Sequence, residues 1–169
     1  SDRFEILLNS VLTLAIDGFF DDGRAGLPVS TGPVPPRVGE ETITTIRARV
    51  SNTSNDVVDA VYRTKLPEGI RWTDNKYTTS GDVAYNPRAR EVTWNIGAIP
   101  ARAGTGLPGP EFSFQVGLTP SLNQVGKEAP LTRGHSVEGT DVFTASRLQA
   151  SADALTTRDS YRKNGDVVR

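Results

Sequence analysis

Residues 16–26, IDGFFDDGRAG, set Asp17, Asp21 and Asp22 among glycines and around the adjacent rings of Phe19 and Phe20. Carboxylates and backbone carbonyls in a loop are the ligand set that a hard cation such as calcium takes. The EF-hand register is not met, because Phe19 falls where the second ligand belongs and Asp22 where the turn glycine belongs. Calcium sites in β-sandwich loops follow no fixed spacing, so Asp141 or Asp82 could complete a site by converging in space. The plainer reading of the same residues is a solvated turn, and it takes precedence; no cofactor is expected beyond this one calcium option. The aromatics offer other chemistry. Phe19, Phe20 and Tyr77, if exposed on loops, could stack on a glycan or grip a protein partner.

Two further stretches imitate catalytic motifs. GTGLPG (104–109) matches G-x-G-x-x-G, but a dinucleotide loop needs those glycines between a strand and a helix N-terminus. Here Pro108 and Pro110 remove N–H donors and a strand pattern follows, so an inter-strand loop is the better reading. GHSVEG (134–139) is one residue too long for G-x-S-x-G. His135 and Ser136 are neighbours, and neighbouring strand residues point to opposite faces, so an ordinary loop or surface histidine is expected. The acid pairs Glu40–Glu41 and Asp21–Asp22 could in principle serve a glycoside hydrolase, which needs two carboxyls about 5–10 Å apart across a cleft. Adjacent acids in loops read more simply as solvated turn residues.

Composition narrows the field. The 169 residues fit one domain and can bury roughly 70% of their unfolded surface. Nineteen basic against twenty acidic residues give no excess positive charge for nucleic acid. There is no cysteine, which removes disulfides, thiolate catalysis and cysteine-bound zinc, and a single histidine argues against other zinc sites. The apolar stretches are much shorter than the ~20 residues that span a bilayer, so no membrane insertion by this segment is expected. The chain opens at Ser1 without a methionine, as expected of a processed or excised segment.

The elements that must position these residues are almost all strands. Residues 5–16 place Leu8, Leu12, Leu14 and Ile16 on one face at period two, predicting a first strand. Residues 17–39, rich in Gly and Pro, read as a crossover loop. Residues 42–52 point Thr44, Ile46, Ala48 and Val50 inward, and the next strand points Ala60, Tyr62, Thr64 and Leu66 inward. Ile70 and Trp72 follow, then a hairpin over 82–99 with Val92, Trp94 and Ile96 inside. The strand EFSFQVGL alternates Phe112, Phe114, Val116 and Leu118 against an outer set of Ser113, Gln115 and Gly117. Two more strands are expected near 129–137 and 141–155. The pattern predicts an all-β, immunoglobulin-like β-sandwich of about 7–9 antiparallel strands with long loops over 1–156, followed by a polar tail or linker over 157–169.

The ordered set Gly39–Glu40, Asn52–Thr53, Leu66–Pro67–Gly69, Trp94–Ile96–Gly97 and Phe112–Val116 resembles a bacterial family, the "conserved repeat" immunoglobulin-like domain of unknown function found in tandem in surface proteins. The resemblance covers about residues 38–119. Thr64 stands where that family often has an acid, and the flanks exceed a minimal repeat. The resemblance implies a rod-like or spacer role at a cell surface and supplies no catalytic residue. The resulting expectation is a non-enzymatic, extracellular structural module whose partners are other domains or subunits of a surface protein. The alternative is an adhesive or carbohydrate-binding module, and a glycoside hydrolase ranks last.

Overall fold

The computed structural model describes residues 2–20 and 26–169. Its strands, in chain order, are β1 (Leu12–Phe19), β2 (Thr42–Asn52), β3 (Val57–Lys65), β4 (Ile70–Thr78), β5 (Asp82–Asn86), β6 (Glu91–Ile99), β7 (Glu111–Leu118), β8 (His135–Asp141) and β9 (Arg147–Ala152). They form two antiparallel sheets, one ordered β1-β2-β7-β4 and the other β5-β6-β3-β8-β9. This is an immunoglobulin-like β-sandwich.

Period-two alternation makes it so. On β2 and β7 the even-numbered residues face the second sheet, and Ile46, Ala48, Phe112, Phe114 and Val116 are wholly buried. Register fixes which rings meet: Ala48 lies opposite Phe112 and Ile46 opposite Phe114 on the first sheet, while Tyr62 lies opposite Trp94 on the second. Within the second sheet Tyr62 meets Trp94 (centroids 6.2 Å apart), both reach across the interface to Phe112 (6.1 and 5.5 Å), and Phe112 stacks on Phe114 at 4.9 Å. Each such aromatic pair adds about 0.5–1.5 kcal/mol beyond the area it buries. With no disulfide available, this cluster binds the sheets together.

The structure departs from the sequence reading at both ends and on one face. The first strand begins at Leu12 rather than residue 5 and runs on to Phe19, so Asp17 and Phe19 lie on β1 and not in a loop. Leu8, expected inside, is 69% exposed, because residues 2–11 have no neighbouring strand. The strand expected near 129–137 is displaced to His135–Asp141, and the one expected over 141–155 is confined to Arg147–Ala152. Ser113, Gln115 and Gly117, expected outside, are buried as well. The crossover lies on them: Gln115 donates from Nε2 to Pro28 O (2.7 Å) and Ile43 N–H donates to Thr31 O (2.7 Å).

Residues 157–169, read as a polar tail, fold back onto the sandwich. They begin with a short helix, α1 (Thr157–Tyr161), capped by Thr156 and Asp159. Tyr161 is buried and hydrogen-bonds Thr44, Thr157 donates to Gly165 O (2.5 Å), and Val167 is buried. The segment is polar by count, but the few side chains it buries are enough to dock it.

Candidate functional site

Strand direction defines two poles. The N-terminal pole gathers the β2–β3, β6–β7 and β8–β9 turns, and β1 starts there, with Leu12 opposite Asn52. The C-terminal pole gathers the start of β2, the end of β7 and the closing segment. There Val38 N–H donates to Val168 O (3.0 Å) and Val168 N–H to Pro36 O (2.9 Å).

At the N-terminal pole the chain is latched by one buried carboxylate. Asp141 is fully buried and accepts from Ser10 N–H (2.7 Å), Asn55 Nδ2 (2.9 Å), Phe143 N–H (2.9 Å) and Thr144 N–H (3.1 Å). Burial alone would raise its pKa, but these four donors outweigh burial and hold the carboxyl at about 2. Ser10 Oγ donates to Asn52 Oδ1, and Asn52 Nδ2 spans to Asn55 O (2.7 Å), Ile99 O (3.2 Å) and Pro100 O (3.1 Å). Three turns and the start of β1 are thus tied to one knot. Asn52 entered the sequence reading only as part of the Asn52–Thr53 motif, and Ser10 and Asn55 were not singled out. The available signal was a polar run, SNTSND, closing an apolar strand whose last residue still fell on the buried face.

Of the aspartates in the calcium reading, the two that the structure describes, Asp17 and Asp141, lie apart. Asp17, on β1, accepts from Arg49 (2.8 Å) and Arg47 (3.3 Å). Asp141 lies beside Ser10, seven residues earlier along the chain, which at about 3.3 Å per residue puts the two some 20 Å apart. Asp21 and Asp22 lie outside the described residues. Among the described residues no cluster of three or more His, Asp or Glu side chains converges.

The aromatics are equally dispersed. Phe19 lies under the Arg47 guanidinium, 5.3 Å from its ring centre, and Phe20 meets Tyr161 edge-on at 6.3 Å. Tyr77 projects from β4, at the opposite edge of the same sheet. Two strands intervene, a separation of about 14 Å at the usual strand spacing. A shallow groove of about 460 Å³ between β1 and α1 is lined by Asp17, Phe19, Arg47, Arg49, Asp159 and Arg162, and its acids and arginines largely offset each other.

The remaining acid and histidine candidates are occupied by structure. Glu41 makes a bidentate pair with Arg71 (both contacts 2.8 Å), whose hydrogen bonds lower its pKa against a smaller effect of burial. Glu40 pairs with Arg37 (3.2 Å). His135, expected on a loop or surface, is 2% exposed on β8, stacked on Tyr62 and bonded to Thr132. The 104–109 loop folds on itself, with Gly104 N–H donating to Leu107 O (2.7 Å), and no helix follows it. None of these groups faces a second reactive group across a cleft.

Comparison with solved structures finds likenesses at low identity. The major pilin subunit BcpA of Bacillus cereus matches at 12% identity and a TM-score of 0.48, over 85% of this chain and 39% of that one. The major pilin SpaD of Corynebacterium diphtheriae matches at 12% and 0.44, over 85% of this chain and 35% of that one. The bacterial hydrophobin BslA matches at 13% and 0.40, over 89% of this chain and 97% of that one. The chain therefore spans little more than a third of either pilin's length. No protein-family model matches the chain and no curated protein matches it by sequence, so the conserved-repeat resemblance rests on its motifs alone.

Proposed function

We propose that this domain is a non-enzymatic structural spacer of a bacterial surface protein or appendage, working outside the cell. The observation that carries the reading is the path of the chain. It enters the sandwich at one pole, through the Ser10–Asp141 latch, and finishes at the other, where Val167 and Val168 bond to Lys127 and Pro36. The eleven residues of β2 between those poles span about 36 Å. Copies joined end to end would therefore add length rather than bulk.

The path also decides how tension acts. Pulling the N-terminus toward its pole and the C-terminus toward the other draws β1 along β2. All eight register pairs from Leu12–Asn52 to Phe19–Thr45 would be loaded together in shear. A spacer that must hold under load benefits from that arrangement. The pilin likenesses and the conserved-repeat motifs are compatible with such a role.

The test is small-angle scattering from two copies expressed in tandem. The reading predicts a maximum dimension close to twice that of one copy. A pair folded side by side, with a dimension near that of one copy, would contradict it.

A further inference from the structure

The exposed apolar side chains are unevenly distributed. Phe4 (90% exposed), Ile6 (79%) and Leu8 (69%) share one parity of the extended arm over residues 2–9, Leu7 is exposed on the other, and Val11, Leu107, Val142 and Phe143 stand exposed around its base at the N-terminal pole. There Val142 and Phe143 border a groove of about 420 Å³ together with Ser54, Asn55, Asp56 and Ala101. Exposed apolar groups gathered at one place mark an interaction surface. The arm keeps the period-two pattern of β1, since Phe4, Ile6 and Leu8 fall on the same parity as the buried Ser10, Leu12 and Leu14. Apart from Leu8 O, which accepts from Asn55, no backbone bond to residues 2–9 is formed among the described residues. It is strand chemistry without a neighbouring strand.

Charge indicates what covers it. The arm carries Asp2 and Glu5 against the single Arg3, a net negative charge, and neither acid forms an ion pair among the described residues. At the C-terminal pole Lys163 and Arg169 form no ion pair among the described residues, Arg162 borders the groove near Asp159 without pairing with it, and Leu122 (68%) and Val168 (36%) are exposed close by. We infer that the N-terminal pole and its arm dock onto the C-terminal pole of a second copy of this chain, head to tail. The apolar arm would lie against Leu122 and Val168, and Asp2 and Glu5 would meet the unpaired basic groups. A contact between two different surfaces does not close on itself, so it grows a linear file of sandwiches along their long axis. This builds on the pole-to-pole reading but separates from it: covalently joined copies would still extend if free copies never associated.

The test is sedimentation velocity on the free chain up to about 1 mM, where even a weak contact becomes populated. Wild type should give a concentration-dependent ladder of dimers, trimers and longer files. An N-terminal-pole variant, Ile6→Asp with Phe143→Asp, and a C-terminal-pole variant, Lys163→Glu with Arg169→Glu, should each weaken association about 10-fold or more. All four positions are exposed, so unchanged melting curves should accompany the loss. An equimolar mixture of the two variants should restore one contact only and stop at the dimer. A monomer at every concentration would overturn the inference. So would dimers that survive the C-terminal-pole changes and vanish with the N-terminal ones, which would mean head-to-head pairing, and so would vesicle binding without any ladder.

Discussion

Tyr62 and His135 stack in the core at 5.9 Å between ring centres, with Tyr62 Oη 2.7 Å from His135 Nδ1. Burial pushes the Tyr62 phenol far above its usual range, so it stays protonated and donates to Nδ1, leaving Nε2–H for Thr132 Oγ1 at 2.8 Å. The histidine is therefore built in as a neutral ring. Burial lowers its pKa from 6.5 to about 4.

A pH dependence follows. Between pH 6.5 and 4 the unfolded chain binds a proton at His135 that the folded one refuses, so this contribution is complete above about pH 6.5 and is lost as pH falls toward 4. Its size is on the order of 3 kcal/mol. Urea melts across that interval should show the loss, and His135→Gln should flatten it while lowering stability at neutral pH.

Asp141→Ala should lower the melting temperature by roughly 5–10 °C, because it strands the N–H groups of Ser10, Phe143 and Thr144 inside the N-terminal pole. Hydrogen exchange should speed up first at Ser10 and at the start of β1. Asp141→Asn, which keeps one acceptor, should fall between the two. Because the folded pKa is depressed, the wild-type latch contributes fully above about pH 4 and weakens as pH falls toward 2.

Millimolar calcium and EDTA should give the same melting midpoint. Asp17 is engaged by two arginines and Asp141 by four N–H donors. A site formed by either would have to break those bonds first. A midpoint raised by calcium would return the acidic stretch to the position of a metal site, by mass action.

Gly81 and Ser113 should respond in opposite directions. Gly81 has φ +77°, and a Cβ there would sit 1.9 Å from Asn95 O, a backbone atom that cannot swing aside. Gly81→Ala should cost roughly 2–4 kcal/mol. Ser113 Oγ is buried without a hydrogen-bond partner, so Ser113→Ala should be neutral or stabilising by up to about 1 kcal/mol in denaturant titrations.

The central strands were legible in sequence because one-sided burial writes itself as alternation. Ile46, Ala48 and Val50 on β2, and Val92, Trp94 and Ile96 on β6, are buried as their spacing predicts. Alternation does not reveal whether a strand has a neighbour, so residues 5–11 read like the rest of β1 and yet lie outside the sheet. Nor does it reveal what crosses an outer face, and so Gln115 read as exposed. The candidate site was less legible still. Asp141 could be named as a buried acid only once β3, β8 and the arm were brought together, because its partners come from residues 10, 55, 143 and 144. In the same way Asp17 looked like a loop ligand until β2 placed Arg47 and Arg49 beside it.

The most direct test of the spacer account is single-molecule pulling in two directions on the same domain. The chain has no cysteine, so Ser54→Cys provides a unique handle beside the start of β1. Pulling between the N- and C-termini loads the β1–β2 pairs in shear, whereas pulling between the N-terminus and position 54 opens them one at a time from Leu12–Asn52. The account predicts that end-to-end unfolding needs a force several-fold higher than the opening geometry. Equal forces, or a weaker end-to-end direction, would contradict it.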